Sequence, residues 1–295
     1  MSTAMAGVGR AQATGMLLMC VGVASLSVND AIAKLLTERY APLQILFLRN
    51  VIALPFAVAL AWRFGGAGAL RSTRPGAHLL RGAMWIGATL LFFTSISRMG
   101  LAEATALVFV APLFITALSA LLLAEPVGWR RWLAVLAGFA GVLIMIRPGA
   151  ESFRPISLMP VATAFVYAFL MLSARWLDPR ESVWTLLLYL SGGAALLSGL
   201  AAPFFWTPLR VEDLWLFAGI AVFGTAGMTM MTQAFRLAAA SVVAPLDYTA
   251  LIWATLLGWL LWRETPDAIS ILGAAVIVAS GGFTLWREHR VRDRA

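Results

Sequence analysis

A few polar side chains interrupt long apolar runs in this chain. A charge at the centre of an apolar helix in a bilayer costs about 2.5–3.5 kcal/mol, so each such residue needs a partner or a task. Asn29, Asp30 and Lys34 stand close together, and Asp30 and Lys34 have the i, i+4 spacing that lets acid and base pair on one helical face. Such a group can line a polar vestibule and meet the charged ends of a solute. It can equally be a self-neutralised pair near an interface, with Lys34 snorkelling. Arg49 lies about 10 Å inside its run at 1.5 Å per residue. It has the fork to hold a carboxylate, or it braces helices by pairing with Asp30 or Glu103. Asp247, followed by Tyr248, is a carboxylate able to change protonation, or a fixed partner for Arg236 or a backbone donor.

Other positions could shape a cavity. Pro112 falls mid-run and deprives the Val108 carbonyl of its helical donor, as Pro245 does for Ser241. In lipid such a carbonyl must find another partner, either a neighbouring helix or the polar lining of a cavity. Trp85, Phe92, Tyr167, Met171 and Trp253 lie at depths that a central cavity would reach, although membrane aromatics also face lipid. Thr225, Thr229 and Thr232 follow i, i+4, i+7, and with the Gln233 amide they form a hydroxyl and amide ladder; it suits a cavity face or hydrogen bonding between helices. Glu125 and Glu264 end two runs and precede the next, where free N–H groups would accept them as structural caps.

Composition sets the class. Of 295 residues, 61% are hydrophobic and 12% charged. A soluble domain carries about 25% charged residues, so the remaining surface needs a bilayer. Cys20 is the single cysteine, which excludes an intramolecular disulfide or thiolate metal site. His78 and His289 sit in polar flanks far apart, so no haem, zinc or histidine-based catalytic site is expected, and no cofactor. The formal charge of +8 comes from arginines punctuating apolar runs, which the positive-inside rule explains without nucleic acid. No Gly-x-x-x-x-Gly-Lys-Ser/Thr loop occurs, and neither Asp30 nor Asp247 lies in a Gly-x-Gly-Asp motif. The run after Arg10 lacks a small-x-small cleavage site, so it reads as a span and not a signal peptide.

Ten runs are long enough to cross a bilayer: 15–36, 42–62, 77–97, 101–124, 130–146, 157–175, 183–203, 213–235, 241–262 and 269–286. With both termini in the cytoplasm, 14 lysines and arginines fall on the inner side and 8 on the outer. That bias predicts an all-α membrane protein with cytoplasmic termini.

The chain also repeats itself. The fourth run ends Leu122-Leu123-Ala124-Glu125-Pro126 and the ninth ends Leu260-Leu261-Trp262-Arg263-Glu264-Thr265-Pro266. Each leads into a helix rich in small residues, Gly138-Phe139-Ala140-Gly141 and Ala279-Ser280-Gly281-Gly282. Ala33-Lys34-Leu35 and Ala174-Arg175-Trp176 match weakly at the ends of the first and sixth runs. Five helices per half is an odd number, so the second half must enter the membrane inverted, an arrangement common in secondary transporters.

These residues, with Ala244-Pro245-Leu246-Asp247-Tyr248 on the ninth run, resemble the EamA unit of the drug/metabolite transporter superfamily over essentially the whole chain. Within that superfamily the chain is similar to the YddG-type amino-acid exporters. The resemblance implies two inverted five-helix repeats, 13–148 and 155–287, then a basic cytoplasmic tail, 288–295. It further implies a cavity between spans 1–4 and 6–9, with spans 5 and 10 peripheral. The expected activity is alternating-access export or facilitated movement of amino acids, including aromatic ones, across a bacterial inner membrane. The alternatives are a carrier of another class, such as a nucleoside, sugar, drug or toxic cation, and, ranked last, an intramembrane enzyme. The expected partners are a small solute and the lipid bilayer, with the protein a monomer or a homodimer.

Overall fold

The computed structural model describes residues 2–122, 128–150, 153–173, 182–238 and 240–292. The described residues form helices and no strands. They are α1 (Ser2–Thr37), α2 (Pro42–Gly65), α3 (Pro75–Ile96), α4 (Leu101–Val108), α5 (Ala111–Leu122), α6 (Trp129–Ile146), α7 (Leu158–Leu172), α8 (Val183–Ala201), α9 (Leu214–Leu237), α10 (Ala240–Val243), α11 (Ala250–Trp262) and α12 (Ala268–Arg292). Among the described residues, seven segments are long and apolar enough to cross a membrane, and Trp132–Ile146, Leu246–Trp262 and Ala268–Phe283 are shorter apolar helices.

Helix starts follow local chemistry. Pro42 and Pro75 open α2 and α3, where the first N–H has no intrahelical acceptor and proline loses nothing. Ser182 caps α8 by accepting from the Thr185 N–H at 3.1 Å.

The fourth and ninth spans are both broken. In the fourth, Pro112 cannot donate to Val108 and its ring crowds that turn, so α4 stops and Phe109-Val110 form a tight turn before α5. There the Val110 N–H bonds the Leu107 carbonyl at 3.3 Å, and the Leu113 N–H bonds Val110 at 3.0 Å. In the ninth, the 3-10 stretch Ala244–Thr249, with Pro245 at its start, separates α10 from α11.

The helices pair across the two halves. Among the extensive interfaces are α1 with α9, α3 with α7, α2 with α8 and α6 with α12, and α4 meets α11. Exchanging the halves, so that the first span takes the place of the sixth and the third that of the eighth, leaves this set unchanged. Glycines permit the closest crossings. A Cβ on Gly227 would lie 2.9 Å from the Gly22 carbonyl of α1, and one on Gly273 2.8 Å from the Gly141 carbonyl of α6. Small residues here let backbones approach and replace the hydrophobic drive that lipid does not supply.

Candidate functional site

A cavity of about 330 Å³ lies between the halves, lined by residues of α1 to α5, α7, α8, α9, the 3-10 stretch and α11. No lining residue comes from α6 or α12. The volume is at the small end of the roughly 300–1,000 Å³ range of small-molecule sites. Its walls are mainly apolar, with Trp85 and Phe92 from α3, Phe109 at the break in the fourth span, and Tyr167 and Met171 from α7. Thr89, Thr105 and Thr163 also line it, but their hydroxyls donate back to their own helices, leaving acceptor capacity alone.

Asn29, Asp30, Arg49, Trp85, Phe92, Pro112, Tyr167, Met171 and Asp247 all reach this one cavity. The break at Pro112 also brings Val108 to the wall, so the carbonyl without its helical donor belongs to a cavity-lining turn. Asn29 is 1% exposed; its Nδ2 donates to Asp30 Oδ1 at 2.9 Å, and its own Oδ1 has no donor. Arg49 acts on Asp30 through space but forms no ion pair within 4 Å among the described residues, with Asp30 or with Glu103. The direct ion pair expected of a brace is therefore not formed, and Arg49 and Asp30 interact only at longer range. Asp247 likewise has no hydrogen bond or ion pair among the described residues. The side chain of Arg236, its expected partner, and Glu125, the expected cap, lie outside what is described.

Three expected lining groups lie elsewhere. Trp253 is 37% exposed and outside the cavity. The 3-10 stretch resets the helical phase, so Ala250 and Ala254, four apart on α11, face inward and Trp253 turns away. Tyr248 packs on the Phe109 ring at 4.8 Å and points at Gly281 of α12, its hydroxyl buried without a partner. Thr225 and Thr229 line a smaller adjoining cleft between α2, α8 and α9, which Arg49 and Trp85 share. The Thr229 hydroxyl donates to the Thr225 carbonyl at 2.7 Å, and Thr232 donates to Met228.

Lys34 does not pair with Asp30. It is 6% exposed and donates to Glu264 at 2.5 Å and to the Met99 carbonyl at 2.9 Å, with the Trp262 ring 4.8 Å away. Glu264 is not the cap of α12 either; its second oxygen accepts from the N–H of Leu101, which opens α4, at 3.2 Å. Arg263 explains the change. Its left-handed backbone (φ 58°) turns the chain so that the Glu264 N–H returns to the Gly258 carbonyl. Asp267 caps α12 instead, accepting from the Ser270 N–H at 2.8 Å and from Arg147. Ser270 and the Arg147 guanidinium hold its carboxyl down at about 2. At the same end, Tyr40 donates to Asp213 at 2.7 Å and Trp262 to Glu38 at 3.2 Å, again across the halves.

At the opposite end, Arg81 is 7% exposed and bonds the Leu170 carbonyl at 2.7 Å and the Ser173 hydroxyl at 2.8 Å. His78 is buried on α3 and stacks on Tyr189, not in a loop as its polar neighbours suggested. Arg81 lies in the second turn of α3, inside the third apolar run, so its charge needs these partners.

The chain matches the EamA-like transporter family model twice, over residues 13–147 and 154–286. This chain belongs to the EamA-like transporter family. It is thus a multi-pass membrane protein of the drug/metabolite transporter superfamily. This EamA protein is similar to a riboflavin transporter of Vibrio cholerae, 34% identical over 82% of this chain and 81% of that one. It is also similar to an S-adenosylmethionine uptake transporter of Rickettsia bellii, 28% identical over 93% and 94%. A pseudopaline exporter of Pseudomonas aeruginosa is 27% identical over 90% and 94%. A solved crystal structure superposes with TM-score 0.63 over 96% of this chain and 99% of its own at 21% identity, so the EamA protein shares that fold.

Proposed function

We propose that this protein is a secondary carrier for a small metabolite with a flat, largely apolar ring system and a polar end, working by alternating access. The observation that carries the reading is the cavity between the halves, with aromatic walls and with Asp30, Arg49 and Asp247 unpaired by ion pairs among the described residues. Unpaired charge at membrane depth is costly unless water or a ligand meets it, which suits a transient passenger. The relatives named for S-adenosylmethionine and riboflavin carry ring-bearing compounds, and this favours a larger ring-bearing metabolite over the simple amino acids first expected. Uptake and export both occur among the relatives' names, so export is not carried over.

The reading places ten spans in a bacterial inner membrane as two inverted units, 13–148 and 155–287, with tail 288–295 and both termini cytoplasmic, supported by the 14-to-8 bias of basic residues. The Lys34–Glu264 end is then periplasmic and closed, so the cross-half contacts there must part for access from outside. Purified protein in liposomes tests the reading. Labelled S-adenosylmethionine or riboflavin should enter faster than into empty vesicles. Flux of phenylalanine, threonine or methionine alone would restore the amino-acid reading, and no flux of any of these would reject the carrier assignment for this cargo range.

A further inference from the structure

Donors and acceptors without protein partners are concentrated at one corner of the cavity. Arg49 of α2 and Asn29 and Asp30 of α1 line it there, and Gly224 of α9, which lines the adjoining cleft, backs Asn29 and Arg49. A Cβ on Gly224 would lie 2.7 Å from Asn29 Oδ1 and 3.0 and 3.2 Å from Arg49 Nη2 and Nε. The guanidinium and the orphan amide oxygen therefore converge on bare backbone that only glycine leaves open. Asn29 spends its amide N–H on Asp30 at 2.9 Å and keeps its own oxygen buried without a donor, while the Asp30 carboxylate and the Arg49 guanidinium line the same cavity.

We propose that this corner reads an α-amino carboxylate head on the cargo. The fork of Arg49 takes the carboxylate in two parallel bonds, a geometry that a point-charge lysine does not reproduce. The ammonium, one carbon away, falls to the Asp30 carboxylate on the cavity wall. The rest of the molecule lies along Trp85, Phe92 and Phe109. A buried cation and a buried acceptor left unpaired are both costly, and one zwitterionic head satisfies both. A neutral, headless ring satisfies neither.

This rests on the carrier reading, and matched probes separate the two. Binding to the full-length purified protein is measured for S-adenosylhomocysteine against 5′-methylthioadenosine, which share the nucleoside thioether but differ in the head. Phenylalanine is compared with 3-phenylpropionate and 2-phenylethylamine in the same way. The headed member should bind at least about tenfold more tightly in one or both sets. Arg49→Lys should collapse that ratio toward one. Gly224→Ala, which leaves every charge in place and inserts a methyl between Asn29 and Arg49, should do the same if Arg49→Lys fails to fold. Equal binding of headed and headless members, or an unchanged ratio in a folded variant, overturns the head-group assignment. Riboflavin binding without binding of any headed probe also overturns it and leaves the carrier standing. Absence of binding and flux for every probe overturns both.

Discussion

Lys34 on the first span of one half donates at 2.5 Å to Glu264, in the turn between the ninth and tenth spans of the other. Glu264 also accepts from the N–H that opens α4, so one carboxylate holds three chain segments together at one end of the molecule. The lysine is nearly buried and the glutamate one-third exposed, so the pair acts in a medium less polar than water. Leu101, whose N–H this carboxylate accepts, also lines the cavity, so the junction is tied to the cavity wall at that end.

Glu264→Gln should loosen this end. The lysine keeps the Met99 carbonyl and the Trp262 ring but loses its counter-charge. In a Cys20→Ser background carrying Thr105→Cys, a cavity-lining position one turn beyond Leu101, a membrane-impermeant thiol reagent should label several-fold faster with Glu264→Gln than without it. Equal labelling rates would show that the pair does not hold the end closed.

Asp267 links Arg147 to the start of α12, and its carboxyl sits at about 2 against an ordinary 3.8. A depressed folded-state value means its stabilisation is complete above about 4 and fades as pH falls through about 2. Asp267→Asn should lower the melting temperature at pH 7, and the gap from wild type should close as pH falls from 4 toward 2. A gap that stays constant over that range would remove the ion-pair and capping account.

Tyr248 and Gly281 interlock. A Cβ on Gly281 would collide with the Tyr248 hydroxyl oxygen. Gly281→Ala should destabilise by about 1–3 kcal/mol through overpacking. Tyr248→Phe removes a buried hydroxyl that has no partner, so it should be neutral or stabilising, and it should relieve much of the Gly281→Ala penalty. Additive melting shifts in the double variant would refute the contact.

Pro112→Ala returns an N–H to the Val108 carbonyl and allows α4 and α5 to join. Melting temperature should rise while flux through reconstituted vesicles falls several-fold, because the break that shapes the cavity wall is lost. Retained flux with a raised melting temperature would make the break a packing detail.

The membrane class, the two-unit organisation and most of the cavity were legible in the sequence. Asn29, Asp30, Arg49 and Asp247 stood out because a charge or amide in an apolar run has few affordable destinations, and the cavity is one of them. Pro112 and Pro245 marked both broken spans because a missing N–H is a local property. Trp253 and Tyr248 were misplaced for the complementary reason. Which way a side chain points after a 3-10 stretch depends on accumulated helical phase, which residue spacing alone does not report.

Partner choice was decided by tertiary structure. Local spacing offered Asp30 to Lys34 and α12 to Glu264, yet Lys34 pairs 230 residues away and Glu264 caps α4. An ion pair or a cap follows distance in space, and the chain turn at Arg263 and the crossing of the two halves set that distance. Sequence determines which groups cannot remain in lipid; packing of the halves decides which group answers each of them.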